Sequence, residues 1–95
     1  MKTTIEGKQY NSDKCEALTS LTHYSSGNYS GKSTLMLASD GTYLVHTVSN
    51  GQDIYLSGNF RGCACGEIDD FIERAYITDS EEPRLFELGL IEIID

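Results

Sequence analysis

The feature that most constrains the fold is an Asp-Gly dipeptide between two short apolar runs. Asp40-Gly41 follows the run 34–38 (TLMLA) and precedes the run 43–48 (YLVHTV). Asp-Gly in this position is the strongest short-range signal of a two-residue hairpin turn, because its backbone readily takes the positive φ that such a turn requires. The sequence therefore predicts an antiparallel hairpin near the centre of the chain.

Three further segments have the pattern of strands. Residues 3–10 form a candidate first strand that is broken at Gly7, residues 54–56 follow a second turn signal, and residues 91–94 alternate enough to form a last strand. By contrast, residues 24–32 (YSSGNYSGK) are rich in Gly and Ser, which is typical of an exposed loop.

Two segments are predicted to be helical. A short helix is expected over residues 12–22, and a second is expected to begin at Ser80 and to end at Gly89. Four residues of the first segment lie at the spacing of one helical face: Cys15, Leu18, Leu21 and Thr22. The predicted fold is a single α+β domain over residues 1–95. It has a small antiparallel sheet of four or five strands, one N-terminal helix and one C-terminal helix.

The negative charge is concentrated in the last third of the chain. The protein has 15 acidic residues against 7 Lys and Arg, a net charge of −8. Residues 67–95 hold ten of the acids and two arginines, so they carry the whole net charge. Such a chain is poorly suited to bind nucleic-acid phosphates or an anionic membrane, because both would repel its negative charge. The asymmetry indicates a positively charged partner, and a merely solvated acidic surface is the alternative.

The chain contains candidate ligands for a zinc ion. Cys63 and Cys65 are two residues apart and flanked by glycines, so both thiolates could converge on one ion. On the predicted first helix, Cys15 and His23 would lie about 12 Å apart at ~1.5 Å per residue, so only one of them could join the site. The favoured set is Cys15, His46, Cys63 and Cys65, and the other has His23 in place of Cys15.

A site closed by four protein ligands leaves no position for a substrate, so the zinc would be structural. Zinc binding would add stability that a core of this size lacks. Alternatively, Cys15 is a core residue, Cys63 and Cys65 are loop thiols and His46 packs in a strand. The chain begins without a signal-peptide pattern and has no apolar run of about 20 residues. We therefore expect the protein to be in the cytosol, where its three cysteines would be reduced. The resemblance given in the next paragraph implies that this is the cytosol of a bacterium.

Several short segments together resemble a group of small accessory proteins that phages, prophages and plasmids encode, some of which are anti-CRISPR proteins that inhibit Cas9. These segments are residues 5–12 (IEGKQYNS), 34–35 (TL), 41–46 (GTYLVH) and 66–67 (GE), followed by the late acidic helix. The cysteines are not part of this resemblance, since Ala would be expected at position 15.

The resemblance implies a non-enzymatic protein that binds a host CRISPR nuclease and blocks nucleic-acid loading. The charge agrees with this, because guide-RNA nucleases have positively charged channels. No Ser or Cys stands in a recognisable nucleophile motif. The acidic residues expected to bind the partner are Asp69, Asp70, Glu73, Glu81 and Glu82. Two alternatives are an adaptor of a mobile element that binds another protein, and a small zinc-dependent hydrolase with an open metal position.

Overall fold

The computed structural model describes residues 1–49, 59–64 and 66–94. Within these residues the chain forms a two-stranded hairpin, a four-stranded antiparallel sheet and two α-helices, which confirms the α+β class. The sheet has the order β3-β4-β5-β6. The strands are β1 (Lys2–Ile5), β2 (Lys8–Asn11), β3 (Glu16–Ser25), β4 (Asn28–Leu37), β5 (Tyr43–Ser49) and β6 (Asn59–Gly62), and the helices are α1 (Glu67–Arg74) and α2 (Glu82–Glu87).

The predicted central hairpin is confirmed as β4 and β5, but the two-residue turn is wrong. The Ala38 amide donates to the Thr42 carbonyl at 2.9 Å and the Gly41 amide to the Ala38 carbonyl at 3.0 Å, so residues 39–41 make the turn. Leu37 pairs with Tyr43 at its closed end, and the register continues to Gly31 opposite Ser49. The backbone amide of Thr42 donates to the Asp40 carboxylate at 3.0 Å. Gly41 takes a φ of 91°, which side chains disfavour. The Asp-Gly pair thus supplies both the hydrogen-bond acceptor and the backbone conformation of the turn.

The predicted N-terminal helix over residues 12–22 is wrong. Residues Ser12–Lys14 form one 3₁₀ turn, and the chain then continues as β3. In β3 the pairing with β4 jumps from Ala17 to Thr19, so Leu18 is the extra residue of a β-bulge. The bulge lets Leu18 and Leu21 pack against the same core although they are three residues apart. A three-residue apolar spacing, read as helical, is here the product of a bulged strand.

Residues 24–32 do not form the predicted loop, because they join β3 to β4 through a two-residue turn. Ser26 and Gly27 have φ values of 53° and 81°, and the flanking Ser25 and Asn28 are paired. Two positive φ values in succession are what a type I′ hairpin turn needs. Residues 91–94 lie outside any strand of the described structure, and the predicted strand 54–56 falls outside the described residues.

The predicted C-terminal helix is confirmed as α2. Pro83 lies in its first turn, where the missing amide hydrogen costs little. Leu85 is fully buried, and Gly89 follows the helix with a φ of 76°, the left-handed conformation that commonly ends helices.

The sheet is covered on its two faces by different elements. The helix face, covered by α1 and α2, has a buried core of Leu18, Leu35, Val45, Phe71 and Leu85. The hairpin face, covered in part by β1 and β2, has a smaller core of Ala38, Leu44 and Phe60, with Ile5 and Tyr10 packed against it. Alternate residues of β4 and β5 point to opposite faces, which explains why Leu35 and Met36 belong to different cores.

Candidate functional site

The described members of the favoured zinc set lie on both faces of the sheet. Cys15 packs on the hairpin face. His46 also belongs to that face, because its ring meets the Phe60 ring edge-on with centroids 5.8 Å apart. Cys63 packs against the core of the helix face, and its amide donates to the carbonyl of Tyr43 at 3.1 Å. Cys65 lies outside the described residues.

His23, the alternative ligand, lies on the helix face. Its Nε2 is 2.7 Å from the Ser33 hydroxyl, which is in turn 2.9 Å from the Thr47 hydroxyl. This chain of hydrogen bonds crosses three strands and satisfies two buried hydroxyl groups. The two histidines of the alternative set therefore lie on opposite faces of the sheet. Across the residues that the structure describes, no three His, Cys, Asp or Glu side chains group so as to hold a metal ion, and the zinc site stays a prediction that includes Cys65.

Burial raises the pKa of both described thiols. Burial, reinforced by the nearby Glu67 and opposed by Arg61, raises the pKa of Cys63 from 9.0 to about 11. Burial, and then the charge of Asp40, also raises the pKa of Cys15. Both shifts disfavour the thiolate, which is the form of cysteine that acts as a nucleophile or metal ligand.

Three of the predicted partner-binding acids form one exposed surface, which we call the acidic face of α1. Asp69, Asp70 and Glu73 are all exposed. At ~100° per residue they span about 100° of the helix circumference. The apolar side chains of α1 point the opposite way, with Phe71 buried and Ile68 and Ile72 packed on the helix face. The helix thus turns its carboxylates outward because its other side is anchored in the core.

Glu81 and Glu82 differ in what their carboxylates do. One oxygen of Glu81 accepts hydrogen bonds from the Thr19 hydroxyl and from the Thr78 amide, both at 3.0 Å. Glu81 therefore connects the segment before α2 to β3, a structural role that the sequence pattern did not reveal. No hydrogen bond or ion pair within the described part of the chain engages the Glu82 carboxylate.

The arginines do not cancel the acidic face of α1. The Arg61 guanidinium makes a bidentate pair of hydrogen bonds to the Glu67 carboxylate, at 2.5 and 2.7 Å. Arg84 does the same with Glu16, at 2.8 and 3.0 Å. Among the arginines that the structure describes, Arg74 alone reaches the acidic face, 3.7 Å from the Asp70 carboxylate. Asp69 and Glu73 have no such partner among the residues described, so their charges are available to another molecule.

A second surface feature was not predicted from the sequence. Ile77, Ile91, Ile93 and Ile94 line a groove of about 350 Å³ whose remaining lining residues are Glu82 and Glu92. We call it the isoleucine groove. The Ile-rich end of the chain had suggested a strand, which would have buried these side chains. In the structure, 48% of Ile93 and 84% of Ile94 are exposed instead.

Comparison with known protein families, with curated proteins and with solved structures finds no match to this chain. Among the described residues, no helix is both long and apolar enough to cross a membrane.

Proposed function

We propose that this protein is a non-enzymatic inhibitor that binds a bacterial CRISPR nuclease of the Cas9 type and blocks its loading with nucleic acid. The observation that carries the proposal is the acidic face of α1, where Asp69, Asp70 and Glu73 are exposed side by side. A nuclease of this type holds nucleic acid in positively charged channels, so a fixed set of carboxylates can occupy the same surface. The short segments that resemble anti-CRISPR proteins support the choice of partner.

The rigid support of the acidic face favours this function. Phe71 is buried beneath the face, and the Arg61–Glu67 contact ties the start of α1 to β6. Fixed charges lose less conformational entropy on binding than charges on a mobile segment. The carboxylates of Asp69, Asp70 and Glu73 would act together, mainly by speeding association with a basic surface.

The test measures binding to purified Cas9, with and without guide RNA, by biolayer interferometry over a series of salt concentrations. The variant Asp69→Asn/Asp70→Asn/Glu73→Gln removes the acidic face. The matched control is Asp13→Lys/Ser39→Lys, which makes the same change in net charge at exposed sites on other elements. We expect the first variant to bind about tenfold more weakly at low salt, with a flatter salt dependence, and the control to bind nearly as the wild type.

Equal binding by the two variants would show that the acidic face is not the contact surface. No binding of the wild-type protein to Cas9 in either state would refute the proposed partner. A DNA-cleavage assay with the same variants connects binding to inhibition, since the loss of affinity and the loss of inhibition should run in parallel.

A further inference from the structure

The isoleucine groove is an apolar surface with a charged rim. Four isoleucines line it, and Tyr76, which directly precedes Ile77 in the chain, is 86% exposed. The carboxylates of Glu82 and Glu92 complete the lining, and within the described residues neither accepts a hydrogen bond or forms an ion pair. A groove of this kind combines apolar area that water does not solvate well with two charges that have no counter-ion among the residues that the structure describes.

Binding energy is concentrated in such places. Exposed ion pairs contribute little net affinity, because charged groups lose their hydration and are screened by salt. Apolar side chains removed from water contribute about 25 cal/mol per Å², and hot spots lie where such side chains fill a partner's surface. The acidic face of α1 can therefore speed association, whereas stable binding needs an apolar contact nearby.

The chemistry of the rim selects one kind of occupant. An acidic segment would be repelled by Glu82 and Glu92 and by the net charge of −8. A second copy of this chain would bring the same two carboxylates towards their own counterparts in a symmetric contact. A segment with two or three apolar residues flanked by Lys or Arg fits both the groove and its rim.

We propose that the isoleucine groove binds a short basic-apolar segment of the protein partner, with the apolar side chains against the isoleucines and Lys or Arg against Glu82 and Glu92. That this segment belongs to the nuclease rests on the proposed function. The recognition chemistry itself rests only on the groove.

The test uses three fluorescein-labelled ten-residue peptides and fluorescence anisotropy. The first alternates paired leucines with paired lysines, the second replaces each lysine with glutamate, and the third replaces each leucine with serine. We expect the first peptide to bind at least tenfold more tightly than either of the others. Tight binding by the glutamate peptide, or equal binding by the serine peptide, would contradict the proposal.

Two groove variants and one control locate the binding site. Ile93→Ser/Ile94→Ser removes apolar surface at exposed positions, and Glu82→Gln/Glu92→Gln removes the rim charge. The control Glu6→Gln/Asp13→Asn makes the same change in net charge at exposed positions outside both proposed binding surfaces. We expect each groove variant to bind the leucine-lysine peptide at least fivefold more weakly and the control to bind it normally. An equal loss in the control would mean general attraction to an acidic protein and would overturn the proposal.

Three further outcomes separate the possibilities. A dimer in sedimentation equilibrium that Ile93→Ser/Ile94→Ser abolishes would identify a second copy as the occupant and would overturn the proposal. If the peptide binds as expected but Cas9 does not bind the protein, the groove stands and the proposed function fails. If Cas9 binds and the groove variants leave both Cas9 and peptide binding unchanged, the proposed function stands and the groove proposal fails.

Discussion

The two faces of the sheet differ in how firmly they are covered. On the helix face, the described residues include five buried apolar side chains, supported by Ile68, Ile72, Leu88 and other apolar residues, and the Arg84–Glu16 contact fastens α2 to β3. On the hairpin face, the part of the chain that is described has three buried apolar side chains, and the Tyr10 hydroxyl donates to the Asp40 carboxylate at 2.7 Å. The candidate binding surfaces both lie on the firmly covered side. Because the inner sides of α1 and α2 pack on the core of the helix face, their outer surfaces can present charge and apolar area in a fixed arrangement.

The largest expected difference between the faces is in the free energy of unfolding of two leucine variants. Leu35 and Leu44 lie on neighbouring strands, are both fully buried and point to opposite faces. We expect Leu35→Ala to cost about 4 kcal/mol and Leu44→Ala about 2.5 kcal/mol, because the two-stranded hairpin can close over a cavity more easily than two helices can. Urea unfolding followed by circular dichroism measures both values.

The exposed residue Val48 supplies a control, since Val48→Ala on β5 should change the unfolding free energy by less than about 0.5 kcal/mol. A cost for Leu44→Ala that equals or exceeds that of Leu35→Ala would show that the hairpin face is covered as firmly as the helix face.

A smaller effect is expected at the link between β3 and the segment before α2. Replacing Glu81 with Ala removes the acceptor of the Thr19 hydroxyl, which is only 1% exposed, and of the Thr78 amide. A buried hydroxyl without a partner costs about 1–3 kcal/mol, so Glu81→Ala should lower the unfolding free energy by about 2 kcal/mol.

Glu82→Ala is the matched control, because it removes the same charge one residue away and breaks no hydrogen bond in the part of the chain described. Its cost should stay below about 0.5 kcal/mol. Equal effects of the two substitutions would indicate that charge near α2, and not the bond to Thr19, stabilises the helix face.

The elements that could be predicted have local signals that tertiary packing does not override. Asp40-Gly41 marks the position of the β4–β5 turn, although not its length, and Pro83 with Gly89 marks the two ends of α2. The helix expected over residues 12–22 failed because periodicity records only which side chains are buried. A bulge at Leu18 produces the same spacing as a helical turn, and the Ser26-Gly27 turn that pairs β3 with β4 was hidden in a run of polar residues.

The candidate site was predictable only as far as charge could be read along the chain. Asp69, Asp70 and Glu73 fall on one surface because residues 67–74 form the amphipathic helix α1, which the sequence pattern did not predict. The role of Glu81 depends on Thr19, 62 residues away, and so only the fold reveals it. The positions of Cys15 and Cys63 on opposite faces likewise follow from the bulge and from the order of the strands.

The smallest expected effect concerns the pH dependence of the hairpin face. The hydrogen bond from Tyr10, then those from the amide and hydroxyl of Thr42, lower the pKa of Asp40 below its usual value of 3.8. A carboxylate whose pKa is lower in the folded state stabilises the fold above its unfolded pKa, and this contribution is lost as the pH falls through the folded value. Tyr10→Phe should therefore raise the pKa of Asp40 in a carboxyl NMR titration and flatten the decline of stability below about pH 4.

Tyr43→Phe separates this bond from a general effect of removing a phenol, because Tyr43 packs on the helix face and its hydroxyl makes no hydrogen bond to the described residues. In that variant the Asp40 titration should match the wild type. If Tyr10→Phe also leaves the Asp40 titration unchanged, the Tyr10–Asp40 bond does not hold the hairpin to the β4–β5 turn in solution. The hairpin face would then depend on apolar packing alone, and the difference between the two faces would be larger than the structure indicates.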